Sequence, residues 1–256
     1  MTTFILKLIA IITMTIDHIG ASVGTTYKNN HLYFSEIIPH NIYYLCRVIG
    51  RIAFPIFCYL IVEGYYHTGN IKKYALRLFL FAIISQVPFS LAFFKTPFDF
   101  DTNVYFTLFF GLICVYLADN SKKKYAKYQE TGEKSLLFSC IYAYLGIILI
   151  MIASILLHTD YSAYGIMLIL LFYFYRIGEP NSLSNKENIV KYIQLFISIV
   201  VITLILSNTN ELYCLIALIP IAFHNHKKGP SLKYVFYAYY PVHLLILYGI
   251  YSLLIN

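Results

Sequence analysis

Nine apolar runs divide the chain, at residues 4–24, 43–66, 74–94, 103–118, 135–157, 162–177, 190–207, 211–223 and 235–254. A window of about 19 residues separates them from short polar connections. The fourth, sixth and eighth runs are short, which predicts tilted helices or helices packed among neighbours. No ten-residue alternation points to a transmembrane barrel, and a helix satisfies its own backbone within lipid. The pattern predicts an all-α fold: a polytopic membrane helix bundle of about nine transmembrane helices. It forms one integral-membrane unit over residues 1–256, without an internal repeat or a separate soluble domain. The largest polar interruption, Asp119 to Lys134, is a connection between the fourth and fifth runs.

Composition agrees with this reading: 59% of residues are hydrophobic and only 12% charged, against about a quarter charged in a soluble domain. The net charge of +7 would suggest nucleic acid in a soluble chain, but these lysines sit between spans, so no nucleic-acid partner is expected. With the N-terminus inside, 15 of the 19 lysines and arginines fall on the inner side. Lys28, Arg47, Arg51 and Lys95 remain outside. That asymmetry predicts a cytoplasmic N-terminus and, with nine spans, an outer C-terminus. Asp99, Asp101, His158 and Asp160 then lie towards the outer face. The first run lacks a basic lead-in and a clean cleavage site, so it reads as a retained span. Tyrosine supplies the interfacial belt, since the chain has 26 Tyr and no Trp. The five cysteines lie in or beside apolar runs without a CxxC and read as small core residues.

Ionisable residues inside spans are costly and point to function. The first run carries Lys7, Asp17 and His18. Lys7 and His18 are eleven residues apart, about three turns, so they share nearly one side of a helix about 16 Å apart. Asp17 and His18 are catalytic candidates, but as neighbours they project about 100° apart. Asp17 is therefore better suited to pairing with Arg51 or Arg47, which share a face of the second span. Pro55 removes a helix donor just beyond Arg51. Glu63 and His67 mark the inner end of that span, where Glu63 could equally pair with Lys72 or Lys73. Lys72, Lys73 and Arg77 form a basic cluster, either a topological anchor or a phosphate seat. Gln86, Asn103 and Asp160 read as caps or interhelical hydrogen bonds unless recruited by a site. Tyr240 and His243 flank Pro241 in the last span, where His243 either satisfies a freed carbonyl or joins His18. His224 and His226 have no further partner in sequence, so no metal site is expected.

A histidine within a bundle can serve as a general base towards a hydroxyl or amine. No GxSxG, HExxH or Walker loop offers another chemistry. Acyl transfer from a soluble thioester fits better than hydrolysis through a covalent intermediate.

The segments LKLIAIITMTIDHIGA, GRIAFPIFCYLIVEGYYHTGNIKKYALRLFLFAIISQVPFSLAF, NVYFTLFFGL, DYSAYGIMLILLFY and KYVFYAYYPVHLLILY resemble the TraX family. Its members are multi-span proteins named for a conjugation-operon protein that acetylates a pilin N-terminus. The family in turn is similar to the wider transmembrane acyltransferases. Their first span carries a basic residue, ten positions, then histidine, a spacing that Lys7 and His18 satisfy. The resemblance implies that His18 is the base and that Lys7, Lys72, Lys73 and Arg77 meet the phosphates of cytosolic acetyl-CoA. This chain has KKYALR where the wider group often has RxxR. An acceptor would arrive from the outer side, with Arg51, Gln86, Asn103 or Tyr240 stabilising the oxyanion. Arg47, Glu63, His67, Asp160 and His243 are further substrate-binding candidates.

The implied protein is an acetyl-CoA-dependent acetyltransferase of a bacterial-type plasma (inner) membrane, bathed in membrane lipids, acting on a pilin or small exported peptide. O-acetylation of an envelope glycan or lipid uses the same base chemistry. A transporter or assembly factor for an exported peptide would use the same intramembrane polar residues, although a transporter commonly shows repeats and paired broken helices.

Overall fold

Backbone groups in an apolar setting must bond within their own segment, and helices account for most of the described residues. The computed structural model describes residues 1–28, 31–34, 37–176 and 185–255. Helix α1 spans Thr3–Val23. Strands β1 (Thr25–Lys28) and β2 (His31–Phe34) pair antiparallel with Thr25 opposite Phe34, a hairpin that the apolar pattern does not signal. Then come α2 (His40–Gly50), α3 (Ala53–His67), α4 (Ile71–Phe94), α5 (Val104–Thr131), α6 (Lys134–Leu156), α7 (Ser162–Tyr175) and α8 (Asn185–Leu206). A 3₁₀ helix, Thr209–Ala217, leads into α9 (Leu218–Ala222), and α10 (Lys233–Ile255) closes the chain.

Six segments are long and apolar enough to cross a membrane: α1, α2 with α3, α4, α5, α6 and α8. The shorter apolar helices Ser162–Tyr175 and Thr209–Ala222, together with α10, complete a one-to-one match to the nine runs among the described residues. Residue 177, the end of the sixth run, lies outside those residues. The molecule is a helical membrane bundle. Its core is built around α3 and α7, whose Ile56, Cys58, Ile166, Leu168 and Ile169 are fully buried. The periphery belongs to α6 and α8, which turn Ile148, Leu149, Phe196 and Ile205 outward to lipid.

Two local features depart from the apolar pattern. The polar stretch after residue 118 does not interrupt the helix; α5 continues to Thr131. Lys, Glu, Gln and Ala are good helix formers, and Lys123 pairs with Asp119 one turn back at 2.7 Å. The Asp119 carboxylate also accepts from the hydroxyls of Tyr65 (2.8 Å) and Tyr173 (3.1 Å), which ties the extension to the bundle. The helix ends only at Gly132, whose φ of +69° suits glycine.

The second departure is that the second run is two helices. The Pro55 ring would meet the carbonyl of Arg51 in a continuous helix, and the chain breaks at Arg51–Ile52, leaving Pro55 in the first turn of α3. At Gly50, a Cβ would stand 2.2 Å from the Asp17 side chain, so glycine allows α1 and α2 to approach closely. Gly50→Ala is expected to displace Asp17 and cost about 1–3 kcal/mol by overpacking. A lowered unfolding midpoint in detergent would show it.

Candidate active site

Two cavities lie along α1. The inner one, of about 280 Å³, opens at the lysine-rich end and is lined by Lys7, Arg77, Lys228, Lys233, Glu63 and His67, among others. The outer one, of about 620 Å³, is lined by Asp17, His18, Arg47, Arg51, Asp160 and Tyr240 with apolar neighbours. Phe57 lines both. The helical repeat that places Lys7 and His18 on one side of α1 thus gives each cavity one of them.

The outer cavity is organised by a pair of histidines. His18 Nδ1 lies 2.7 Å from His243 Nε2, and His243 Nδ1 lies 2.9 Å from the Tyr239 carbonyl. A carbonyl only accepts, so His243 Nδ1 carries a proton. In the neutral ring, Nε2 of His243 is then an acceptor, and the His18 proton belongs on Nδ1. The lone pair of His18 is left on Nε2. This chain of bonds fixes the tautomer of His18 through its neighbour, the role that a second group plays for a catalytic histidine. Phe93 and Tyr240 meet the His18 ring edge to face, with centroids 5.1 and 6.0 Å away. The carbonyl freed by Pro241 is that of Tyr237, four residues earlier, and the Tyr105 hydroxyl supplies its donor at 3.2 Å. His243 is thereby released for His18.

Asp17 is not part of that chain. Its Oδ2 accepts from Arg47 Nη1 at 2.7 Å, so the partner is Arg47 rather than Arg51. The break before Pro55 carries Arg51 to another neighbour: its Nε lies 3.1 Å from Oε1 of Glu211 on the 3₁₀ helix. Arg51 Nη1 also donates to the Tyr161 hydroxyl at 3.4 Å, and the Tyr161 ring stacks on Phe54 at 3.7 Å. Glu211 is buried and was not among the sequence candidates. Its signal was a single acid at the head of the eighth apolar run.

Asp160 sits on the connection between α6 and α7. Its backbone N–H donates to the Thr102 carbonyl at 2.8 Å, and its carbonyl accepts from Thr107. The Asp160 carboxylate faces the outer cavity and makes no side-chain hydrogen bond among the described residues. Burial pushes this carboxyl up to about 7, against the opposing pull of Arg47 and Arg51.

Two sequence candidates do not line the outer cavity. Gln86 donates to the Asp101 carbonyl at 2.8 Å and accepts from the Asn103 amide at 2.9 Å. Asn103 caps α5 by accepting from Tyr105 N–H at 3.1 Å and also donates to the Ala82 carbonyl at 2.7 Å. Their polar groups clasp the α4–α5 connection, leaving Arg51 and Tyr240 as the oxyanion candidates that line the cavity.

At the inner end, Lys7 and Arg77 line the cavity as read from sequence. Lys72 and Lys73 do not: both are exposed at the start of α4. Lys228 and Lys233, from the turn before α10 and its first residue, take their place. Position in sequence hid them, because the chain returns to the N-terminus over more than 200 residues; Thr3 N–H bonds the Lys227 carbonyl at 2.9 Å. Arg77 Nε is buried without a hydrogen-bond partner among the described residues, an unmet donor at the wall of a cationic cavity. Glu63 pairs with neither Lys72 nor Lys73; it faces His226 Nδ1 at 3.2 Å and His67 Nε2 at 3.7 Å.

Such a fold and site define a class: a multi-span helical membrane protein in which one helix walls a basic cavity and a histidine-bearing cavity. The chain matches the model of the TraX protein family over residues 3–251 and belongs to that family. It is 27% identical over 270 aligned positions to a probable fimbrial assembly protein, serogroup H1, of Dichelobacter nodosus, covering 96% of this chain and 94% of that one. An uncharacterized protein of Rickettsia prowazekii (strain Madrid E) is 30% identical over 119 positions, 46% of this chain and 38% of its own. No solved structure matches.

Proposed function

We propose that this protein transfers an acetyl group from cytosolic acetyl-CoA to an acceptor at the outer side of a bacterial inner membrane, with His18 as general base. The carrying observation is the division of α1 between the two cavities, Lys7 walling one and His18 the other. The lysine-rich end is cytoplasmic by the positive-inside rule. There Lys7, Arg77, Lys228 and Lys233 hold the donor's phosphates, and the acyl arm extends along α1 towards Phe57.

The acceptor is the N-terminal amine of a pilin or small exported peptide. Two observations support this: the fimbrial assembly name carried by a relative of nearly equal length, and the Asp160 carboxylate, which lines the outer cavity without a side-chain hydrogen bond among the described residues. An arriving ammonium is a natural partner for a carboxylate placed there. The ammonium gives one proton to the Asp160 carboxylate and becomes the neutral amine, which attacks the thioester carbonyl and gives its second proton to His18 Nε2. The new N–C bond forms, the C–S bond breaks, and the proton passes to the departing thiolate. Arg51 or Tyr240 stabilises the oxyanion in between.

The test is transfer of labelled acetyl from acetyl-CoA to a pilin N-terminal peptide by the purified protein. Lys228→Ala with Lys233→Ala should raise the KM for acetyl-CoA by about tenfold, with a smaller effect on kcat, because each lost exposed charge contact is worth roughly 0.5–1 kcal/mol. Transfer to a glycan hydroxyl in place of the amine would redirect the reading to O-acetylation. An absence of acetyl-CoA binding would leave an assembly role without catalysis.

A further inference from the structure

We propose that Glu63, His224 and His226 form a zinc-class metal site at the rim of the inner cavity. The ligand atoms come from opposite ends of the sequence and converge on the Glu63 carboxylate. Glu63 Oε2 lies 3.2 Å from His226 Nδ1 and 4.0 Å from His224 Nδ1. One donor atom from each of the three side chains lies within 4.8 Å of the other two. Tetrahedral zinc with bonds of about 2.0–2.2 Å places its donors roughly 3.3–3.6 Å apart. The three atoms need only small shifts to reach that spacing.

Local geometry explains how the two histidines converge. His224 follows α9, and His226 adopts a left-handed φ of 56°, so the chain turns between them. Their rings stand 4.7 Å apart at 59°, inclined rather than stacked. On α3, Tyr59, Glu63 and His67 recur at intervals of four and share a face. Tyr59 OH lies 2.8 Å from His224 Nδ1, and His67 Nε2 lies 3.7 Å from Glu63 Oε2. His67, water or a substrate atom can fill a fourth position.

The outer partner of His224 is also present. His224 Nε2 lies 3.1 Å from Thr3 Oγ1. A metal-bound histidine ordinarily gives its other ring N–H to such a partner, and this assignment leaves Nδ1 with a lone pair, which accepts from the Tyr59 hydroxyl in this structure and would turn from it to the ion. Two imidazoles and a carboxylate suit zinc or a similar first-row ion, and not calcium or magnesium, which take oxygen ligands. The ion would pin the end of α3 to the turn after α9, which already carries the N-terminus through Asn225 N–H to the Met1 carbonyl at 2.8 Å. Lys228 lies two residues past His226, so the same clamp would fix one cation of the inner cavity. Metal binding does not depend on acetyl transfer; each can fail while the other stands.

The test uses full-length protein purified in detergent without a polyhistidine tag, stripped with chelator and then given Zn²⁺ or Co²⁺. One zinc per chain and a tetrahedral Co²⁺ visible spectrum are expected. Glu63→Gln and His226→Asn should weaken binding by more than the 10–100-fold typical of losing an outer partner, and Thr3→Val by about that amount. Stripping should lower the unfolding midpoint of the wild-type protein. A wild-type protein that takes up no stoichiometric zinc and shows no tetrahedral Co²⁺ spectrum overturns the proposal, whatever the folding of the variants. So does unchanged zinc affinity in folded Glu63→Gln and His226→Asn, and the cluster is then a hydrogen-bonded knot only.

Discussion

Acetyl transfer by His18→Ala protein is expected to fall by roughly 10²–10⁴-fold, the usual contribution of a positioned general base, with acetyl-CoA binding retained. Retention follows from the separation of the two cavities: the basic residues proposed to hold the donor line the other one, with Lys7 about three helical turns from His18. Equilibrium binding of acetyl-CoA and single-turnover transfer, measured on the same preparation, report the two cavities separately. Transfer at the wild-type rate would remove His18 from the reaction. In the proposed reaction His243 stands one bond further back, as a positioning residue. His243→Leu removes the acceptor for His18 Nδ1–H and frees the ring to take the other tautomer. His243→Gln can present a carbonyl oxygen in the same direction. The leucine variant should lose roughly tenfold or more in kcat with little change in KM, and the glutamine variant should recover part of it. Equal losses in both would mean that His243 merely fills space.

A larger effect on stability is expected at Arg51 and Glu211. Both are largely buried, with side chains 14% and 8% exposed, and removing one partner of such a pair strands the other charge at about 3–5 kcal/mol. Glu211→Gln and Arg51→Ala should therefore each lower the unfolding midpoint sharply. The double change Arg51→Met with Glu211→Leu should restore most of it, because well-packed apolar residues often replace a buried ion pair without loss. The chain has no tryptophan, so unfolding is best followed with a thiol-reactive dye. Cys58, Cys114 and Cys214 are free and buried and become reactive only as the bundle opens. Similar midpoints for single and double variants would show that the pair contributes little.

Helical periodicity explains why much of this architecture could be read from sequence. Apolar runs reveal spans because lipid leaves the backbone no other partner, and all nine runs are present as helices. The division of Lys7 and His18 along α1 was legible because both lie on one element and obey its repeat. Pairings between distant elements were not. Asp17 faces two arginines one turn apart in sequence; only the break forced by Pro55 decides that Arg47 meets it and Arg51 turns to Glu211. His243 was visible as an intramembrane histidine beside a proline, but its contact with His18 depends on where α10 packs against α1. Lys228, Lys233 and His226 lie on a turn whose return to the N-terminus leaves no local trace. Gln86 and Asn103 illustrate the converse: polar residues in spans that serve the backbone of a loop. The length of α5 is obscured in sequence because charge marks the end of a membrane span, while helix propensity carries the segment on beyond it.

Phe57, shared by the two cavities, has a bearing on the energy stored across the membrane. A charged corridor running unbroken from one side to the other would conduct protons and dissipate the gradient on which the cell depends. An aromatic side chain that lines both cavities, as Phe57 does, would interrupt the file of water that such conduction requires. In the proposed reaction, its aromatic bulk would let chemistry cross the bilayer while current does not.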